Sequence, residues 1–187
     1  NAIYLNPIFE SPSAHKYGAQ FYHHIDNNFG PNPRKDELIW SKEKPSNSHT
    51  WQWTTADKLF LKLIEEAHYR GIKIIIDGVF NHSGIPFWAF QDVKENGLNS
   101  EFVDWFEILK FDDKSSIENE FDYEGWAGIK DLPVYKDIEG LYHPKLMEYF
   151  KNIVKRWMDP NNDGNPEDGI DGWRLDVAEH VNIKFWR

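Results

Sequence analysis

The chain has 187 residues, of which 40% are hydrophobic and 28% charged, which is typical of a globular protein and not of a disordered one. Its formal net charge of -10 argues against nucleic acid and anionic membranes as partners, and it suits a neutral ligand such as a sugar, or a cation. The absence of cysteine excludes disulfide and thiol chemistry, and no apolar run reaches the roughly 18 residues of a membrane helix, so we expect no membrane span.

The first predicted elements are a strand, a helix and a second strand. Residues 2–6 form a short apolar run that reads as a buried strand ending at Pro7. After a long proline-containing loop, Thr54 or Thr55 can cap a helix whose apolar residues share one face, and Gly71 follows where a helix C-cap belongs. Residues 72–77 are apolar and β-branched, typical of a fully buried strand. This order predicts a parallel α/β sheet.

A long aromatic and acidic segment, from about residue 84 to 141, then interrupts the pattern. Strand–helix connections usually have about two to six residues, so this segment is better interpreted as a small inserted lobe than as a loop. Pro144 opens a second helix, residues 170–177 form a third strand, and residues 182–187 begin a further helix. Three parallel strands cannot close a barrel, which needs about eight.

Charged residues follow the ends of two of these strands, as DGVFNH at 77–82 and GWRLD at 172–176. Side chains alternate along a strand, so Arg174 and Asp176 point to one side, and Trp173 and Leu175 point to the other, where they would pack on the helix layer. A neighbouring guanidinium lowers the pKa of a carboxylate, which would keep Asp176 ionised as a nucleophile must be. The alternative is a structural ion pair.

The motifs DGVFNH at 77–82 and GIDGWRLDV at 169–177 resemble two signature regions of the α-amylase family of glycoside hydrolases. Segments 6–18, 67–77 and 185–187 resemble its neopullulanase and cyclomaltodextrinase branch, and the resemblance is weakest in the lobe and in 34–53. The resemblance implies a partial (β/α)8 TIM barrel with a small lobe inserted after the third barrel strand. Barrel segments would then occupy 1–84 and 142–187, and the lobe 85–141.

The family pattern also implies roles for individual residues. Asp176 would attack the anomeric carbon and form a covalent glucosyl-enzyme, while Arg174 orients it and holds it ionised. Asp77 would support the site from the neighbouring strand by hydrogen-bonding Arg174 and Tyr17.

The same resemblance implies a sugar-binding group. His82 would hydrogen-bond the sugar that precedes the scissile bond, Tyr17 would stack on that sugar, and His15 would lie beside it. The alternatives are that His15 is a hydrogen-bonded loop histidine and that Tyr17 merely packs in its loop.

The activity that follows is retaining hydrolysis of α-1,4-glucans, with α-1,6 bonds and cyclodextrins left open as substrates. Such an enzyme needs two carboxyl groups roughly 5 Å apart, but the family's general acid and its third carboxylate have no counterpart here. The chain is therefore expected to be a fragment that is inactive without the remainder of its own barrel. Alternatives are a transglycosylase or isomerase on the same scaffold, a non-catalytic amylase-like module, and a calcium-binding or interaction domain.

A second candidate site is the acidic turn that precedes the third strand. Oxygen-bearing side chains alternate through it as in the first half of an EF-hand loop, with glycine at the sixth position. The twelfth position is Ile170, so the loop is not an EF-hand. The alternative is an Asx-rich turn. The predicted calcium ligands are Asp159, Asn161, Asp163, Asn165 and Asp168, and no organic cofactor is implied.

Aromatic residues make up 16% of the chain, with nine tryptophans. Sugar rings stack on flat aromatic side chains, so this content fits a carbohydrate cleft, although most aromatics will fill the core. Trp51 and Trp53 lie in the unusual stretch 34–53, where we expect them to shape the substrate site.

Overall fold

The computed structural model describes residues 1–113, 115 and 117–187. Residues 114 and 116 of the predicted lobe lie outside the described residues. The strands and helices, in chain order, are β1 (Ala2–Leu5), β2 (Phe9–Glu10), β3 (Phe21–Ile25), α1 (Pro33–Trp40), α2 (Thr55–Tyr69), β4 (Lys73–Gly78), α3 (Trp88–Asn96), β5 (Ile108–Lys110), β6 (Asp122–Tyr123), α4 (Pro144–Met158), β7 (Gly172–Leu175) and α5 (Ile183–Trp186).

The described chain forms two compact units. The first unit comprises Asn1–Glu10, Phe21–Gly78 and Glu148–Asp176, and the second comprises Ser11–Gln20, Val79–Met147 and Val177–Arg187. None of the helices in the described part of the chain combines the length and the apolar character that crossing a bilayer requires.

A parallel sheet in the order β1–β4–β7 is the centre of the first unit. Helix α2 begins with a capping box, in which the Thr54 side chain accepts from Asp57 N–H and the Asp57 carboxylate accepts from Thr54 N–H. Ala56, Phe60, Ile64 and Ala67 of the predicted apolar face are buried, whereas Leu59 and Leu63, predicted on the same face, are 48% and 46% exposed. Gly71 has φ +67°, a left-handed conformation suited to the chain leaving the helix.

The order of elements in the first unit follows the sequence prediction, but the burial of β1 does not. Ile3 is 42% exposed and Tyr4 44% exposed, because β1 is at the edge of the three-stranded sheet and has only β4 as a neighbour. The prediction of a buried first strand is therefore wrong in its burial. Leu175, expected to pack on the helix layer, is likewise 37% exposed, whereas Trp173 lies half-buried against the ring of Phe9.

Aromatic packing holds the second unit together. Helix α3 contributes Phe90, which packs edge-on against Phe106 and Tyr123 with ring centroids 5.0 and 4.7 Å apart. The antiparallel pair β5–β6 carries Tyr123. Near the end of the chain, Asn182 caps α5, and the ring of Phe185 packs against Tyr142. The boundaries 84/85 and 141/142 of the predicted lobe stay predictions.

Candidate active site

Four polar side chains of the first unit form a continuous hydrogen-bonded chain. Arg174 donates from Nη1 to both carboxylate oxygens of Asp77, at 3.0 and 2.9 Å, and to Oδ1 of Asp176, at 2.5 Å. The hydroxyl of Tyr4 donates to Oδ2 of Asp77 at 2.5 Å. One guanidinium nitrogen therefore links the two carboxylates, and Tyr4 extends the hydrogen-bonded chain to β1.

Strand register brings these groups together. Asp77 and Arg174 are direct partners in the parallel pairing of β4 and β7. Asp176 follows β7, and its N–H donates to the carbonyl of Gly78 at 3.1 Å, which continues the pairing beyond the strand. Because the carboxyl ends of parallel strands lie at one edge of a sheet, the side chains of Asp77, Arg174 and Asp176 gather at that edge, where barrel enzymes carry their active sites.

The electrostatics of this cluster depend on two carboxylates sharing one cation. Asp77 is 1% exposed and Asp176 7% exposed. Burial raises the pKa of Asp77 above its ordinary value, while hydrogen bonds from Tyr4 and Arg174 act in the opposite direction. The hydrogen bond to Asp77 and the two nearby negative charges raise the pKa of Arg174, so the guanidinium stays protonated.

Backbone strain follows immediately after Asp176. Val177 has φ 41° and ψ 44°, the left-handed conformation, which a β-branched side chain rarely adopts. Such conformations cost about 1–3 kcal/mol and concentrate at functional sites. The strained residue thus directly follows Asp176 in the chain.

In the second unit, the buried imidazole of His82 lies against an indole. The rings of His82 and Trp126 are stacked with centroids 5.7 Å apart, and Trp126 Nε1 donates to His180 Nδ1 at 2.9 Å. Burial lowers the pKa of His82 to about 4, although a hydrogen bond with the Tyr17 backbone opposes this shift. His82 is therefore a neutral imidazole, able to donate from one nitrogen and accept at the other.

The loop that carries His15 and Tyr17 is also part of the second unit. His15 Nδ1 accepts from the Tyr17 N–H at 3.1 Å, and the two rings have centroids 5.9 Å apart. His15 is exposed and Tyr17 half-buried. The structure thus brings together His15, Tyr17 and His82 in one unit, and Asp77, Arg174 and Asp176 in the other.

Gly18, directly after the His15–Tyr17 loop, and Gly84 lie in close backbone contact because neither has a side chain. A Cβ on Gly84 would lie 2.4 Å from the carbonyl oxygen of Gly18, and a Cβ on Gly18 would lie 3.3 Å from Gly84 Cα. The Gly84 N–H donates to the carbonyl of Ala19 at 2.9 Å. Backbone packs on backbone here, so a side chain at position 84 would displace the loop.

The predicted calcium loop is folded by its own side chains. The Asp159 carboxylate accepts from the N–H groups of Asp163 and Gly164, both at 3.1 Å. Asp163 Oδ1 accepts from Asn165 N–H at 2.7 Å, and Asp168 Oδ2 accepts from the backbone N–H of residue 161 at 3.0 Å. Within the described residues, Asp168 Oδ1 is buried without a hydrogen-bond partner. An orphaned carboxylate oxygen among these alternating oxygen groups fits a hard cation.

Trp51 and Trp53 are engaged inside the first unit. The ring of Trp51 stacks on His23, with centroids 4.3 Å apart and planes inclined by 10°. The Arg156 guanidinium lies 3.6 Å from the ring centroid of Trp53. One face of each indole is thus covered by a protein group, and their role in shaping a substrate site stays a prediction.

Two residues of these clusters are not identified from the sequence. Tyr4 sits in an apolar strand, and its hydrogen bond to Asp77 spans 73 positions. Trp126 lies in the segment with the weakest family resemblance. The sequence offers one signal for Tyr4, a polar-tipped side chain near the carboxyl end of a strand that pairs with the Asp77 strand.

Comparison with known proteins identifies the family to which this architecture belongs. Residues 50–185 match the model of the α-amylase catalytic domain, so the chain belongs to the α-amylase family. It is 39% identical to neopullulanase 2 of Thermoactinomyces vulgaris over 188 residues, and 34% identical to a cyclomaltodextrinase of Geobacillus thermopakistaniensis over 186 residues. These matches cover 100% and 99% of this chain, and 25% of each relative.

Solved structures give the same result. The ligand-free cyclic α-maltosyl-(1→6)-maltose hydrolase of Arthrobacter globiformis matches with a TM-score of 0.71 at 32% identity, over 100% of this chain and 33% of that one. The native debranching enzyme of Nostoc punctiforme matches with a TM-score of 0.69 at 35% identity, over 100% of this chain and 31% of that one. The fold is a partial (β/α)8 barrel with an inserted lobe, and the chain spans about a quarter of the length of the curated relatives it matches.

Proposed function

We propose that this chain is the nucleophile-bearing part of a retaining hydrolase that cleaves α-glucans, with Asp176 as the nucleophile. The observation that carries the proposal is the bond from Arg174 Nη1 to Asp176 Oδ1, which fixes a buried carboxylate at the carboxyl edge of parallel strands. A carboxylate held in one orientation by a permanent cation suits attack at an anomeric carbon.

In the proposed reaction, Arg174 holds Oδ1 of Asp176, and Oδ2 is the oxygen we assign to the attack. As the new bond from Oδ2 to the anomeric carbon forms, the glycosidic bond breaks, and the leaving oxygen takes a proton from a general acid contributed by the rest of the barrel. Water then replaces the carboxylate and gives its proton to the same residue. Asp77 and Tyr4 keep the guanidinium in place throughout.

For the substrate, we propose an α-1,4-glucan, with pullulan and cyclodextrins as further candidates. The names of the relatives, a neopullulanase and a cyclomaltodextrinase, support this substrate class. His82 would hydrogen-bond the sugar before the scissile bond, and the half-buried ring of Tyr17, beside His15, offers that sugar an apolar platform.

The test uses the full-length enzyme, with starch, pullulan and cyclodextrin as substrates. We expect Asp176→Asn to reduce kcat at least ~10⁴-fold without loss of fold, as the removal of a covalent nucleophile does. The matched control is Asp171→Asn, five residues earlier and on the opposite end of β7. Proton NMR of the first products should show retained α-configuration.

The outcomes separate the alternatives. A full-length protein without activity on any of the three glucans would favour a non-catalytic module, and products longer than the substrate would favour a transglycosylase. Undiminished turnover by Asp176→Asn, or products of inverted configuration, would reject Asp176 as the nucleophile.

We also propose that the loop before β7 binds calcium, held by the oxygen atoms of Asp159, Asn161, Asp163, Asn165 and Asp168. The buried, unpartnered Oδ1 of Asp168 supports this proposal. The ion would pin the turn that leads from α4 into the nucleophile strand. In calorimetric titrations of chelator-treated enzyme we expect one calcium site that Asp168→Asn weakens, while Asp104→Asn, in an exposed part of the lobe, does not. Equal affinity of both variants would exclude this loop.

A further inference from the structure

Two adjacent histidines and a glutamate converge inside the first unit, and none of them belongs to the cluster around Asp176. One ligand atom from each of His23, His24 and Glu43 lies within 4.8 Å of those of the other two, and the three side chains are 0% exposed. Within the described chain, no other group of three histidine, cysteine or acidic side chains meets that spacing. Two imidazoles and a carboxylate are a ligand set that zinc and related cations use.

An irregular strand explains how neighbouring histidines reach the same point. Side chains of adjacent residues normally point to opposite faces of a strand. In the pairing of β2 with β3, however, Phe9 is opposite Ile25 while Glu10 is opposite Phe21, so residues 22–24 bulge between the two pairs. Bulges re-aim side chains, and here the ring centroids of His23 and His24 are 4.4 Å apart.

Each of the three side chains is held from behind by a second group. His24 Nδ1 is 2.9 Å from the Asp57 carboxylate, and His23 Nδ1 is 3.4 Å from the Tyr149 hydroxyl. The other Glu43 oxygen, Oε1, accepts from the N–H of residue 52 at 2.5 Å. Outer partners of this kind, including carboxylate–histidine pairs, orient the ligands of metal sites and fix the tautomer that leaves Nε2 free to bind.

The distances from the two histidine nitrogens to the Glu43 oxygen are close to those between ligands of a tetrahedral ion. Donors that lie about 2.0–2.1 Å from zinc are about 3.3–3.4 Å from each other. His23 Nε2 is 3.3 Å from Glu43 Oε2 and forms no hydrogen bond among the described residues, while His24 Nε2 is 2.9 Å from the same oxygen. A small opening of the His24–Glu43 contact would admit the ion.

We propose that His23, His24 and Glu43 form a structural binding site for a divalent transition-metal ion, with zinc as the best match. Calcium and magnesium fit poorly because they require oxygen ligands. The ion would fasten the loop after α1, which carries Glu43, to the bulged strand β3.

A proton is the competing occupant of the same space. Burial lowers the pKa of His24, but its hydrogen bonds to Asp57 and Glu43 outweigh this effect and raise the pKa above its ordinary value. An imidazolium between two carboxylates, with Arg156 beside Asp57 at 3.3 Å, would also be a balanced arrangement. Zinc and this proton exclude each other, because both require the Nε2 position of His24.

The proposal is tested with full-length protein that carries no polyhistidine tag and has been treated with a chelator. Zinc is added in a calorimetric titration, and the bound metal is counted by mass spectrometry after gel filtration. We expect one zinc per chain. His23→Phe keeps an aromatic ring on Trp51 and Glu43→Gln keeps the side-chain shape, yet each should weaken binding at least ~10-fold. The control His49→Gln, at an exposed histidine close in sequence to Glu43, should bind zinc like the unaltered protein.

Further measurements keep the test decisive if a variant folds poorly. Zinc should raise the Tm of the unaltered protein, and bound cobalt should give the visible absorption of a tetrahedral site with nitrogen and oxygen ligands. The proposal is overturned if the unaltered protein shows no saturable zinc binding. It also fails if NMR finds the His24 imidazolium intact at saturating zinc, or if both ligand variants bind as the control does.

Discussion

Nη1 of Arg174 lies 2.5 Å from Oδ1 of Asp176, two residues further along the chain, and the same nitrogen also bonds to Asp77. The alternation of a strand places the two side chains on one side, and the in-register neighbour strand supplies the second carboxylate. The orientation of the proposed nucleophile therefore depends on one nitrogen held between two acids.

Replacing Arg174 with lysine tests that dependence. An ammonium group keeps the charge, but it is a point charge on a flexible stem, so the nitrogen between the two carboxylates would lose its fixed position and Asp176 its fixed orientation. We expect Arg174→Lys in the full-length enzyme to lower kcat by roughly 10²–10³-fold, the range seen when one preorganised donor is removed, with a smaller change in KM. Steady-state kinetics measure this. A kcat within two-fold of the unaltered enzyme would contradict the assigned role.

Tyr4 is predicted to act as a positioning residue through Asp77. Tyr4→Phe removes the hydroxyl that bonds to Asp77 Oδ2 at 2.5 Å and leaves the ring in place. We expect kcat to fall about 10-fold with KM nearly unchanged, which corresponds to about 1.4 kcal/mol in the transition state. Because the hydrogen bond lowers the pKa of Asp77, its loss should also move the acidic limb of the pH–rate profile upward.

Two controls separate positioning from stability in that experiment. Tyr69→Phe alters an exposed tyrosine elsewhere and should change neither kcat nor the pH profile. If Tyr4→Phe lowers Tm but leaves the profile unmoved, the residue is structural and the positioning role is rejected.

The contact between Gly18 and Gly84 predicts that alanine is tolerated less well at position 84 than at position 18. An alanine Cβ at position 84 would lie 2.4 Å from backbone, whereas one at position 18 would come no closer than 3.3 Å. We expect Gly84→Ala to cost about 1–3 kcal/mol of stability and to raise KM by displacing the loop of His15 and Tyr17. Gly18→Ala should have a smaller effect on both quantities. Measurements of Tm and KM for the two variants test this prediction. A larger loss of stability and a larger rise in KM in Gly18→Ala than in Gly84→Ala would contradict the predicted loop displacement.

The lowered pKa of the buried His82 predicts that the stability of the fold depends on pH. Its pKa falls from an ordinary 6.5 to about 4 in the folded protein, so between these values the unfolded chain binds more protons than the folded one. Folding stability attributable to His82 is therefore complete above pH 7 and declines as the pH falls toward 4, where the loss reaches roughly 3 kcal/mol.

The measurement compares the Tm of the unaltered protein with that of His82→Gln across this pH range. The difference between the two should narrow as the pH falls, because glutamine has no proton to gain. A parallel variant at the exposed His49 should show no such narrowing. A difference that stays constant from pH 8 to 4 would argue against a neutral buried His82.

The features that the sequence predicts correctly are those whose conformation depends on residues close by in the chain. The capping of α2 at Thr54, the left-handed Gly71 and the shared side of Arg174 and Asp176 follow from neighbours within a few positions. The hydrogen bond from Arg174 to Asp77, which the family resemblance implied, depends on the pairing of two strands, and the structure contains it.

What sequence reasoning missed depends on distant partners. An apolar run such as residues 2–5 looks the same at the edge of a sheet and in its centre, so the exposure of Ile3 could not be read from it. The convergence of His23 and His24 on Glu43 requires a bulge that alternating patterns do not reveal. The hydroxyl of Tyr4 finds its acceptor only after β1 and β4 have paired.

The left-handed backbone of Val177 has a consequence for engineering this enzyme toward heat tolerance. Asparagine and glycine adopt that conformation with less strain, so mutational searches for a higher melting temperature should repeatedly select them at this position. The residue just before it is the proposed nucleophile. If the strained turn helps to hold Asp176 in place, such gains in stability should come with a loss of turnover, and position 177 would then be a site where heat tolerance and catalytic rate conflict.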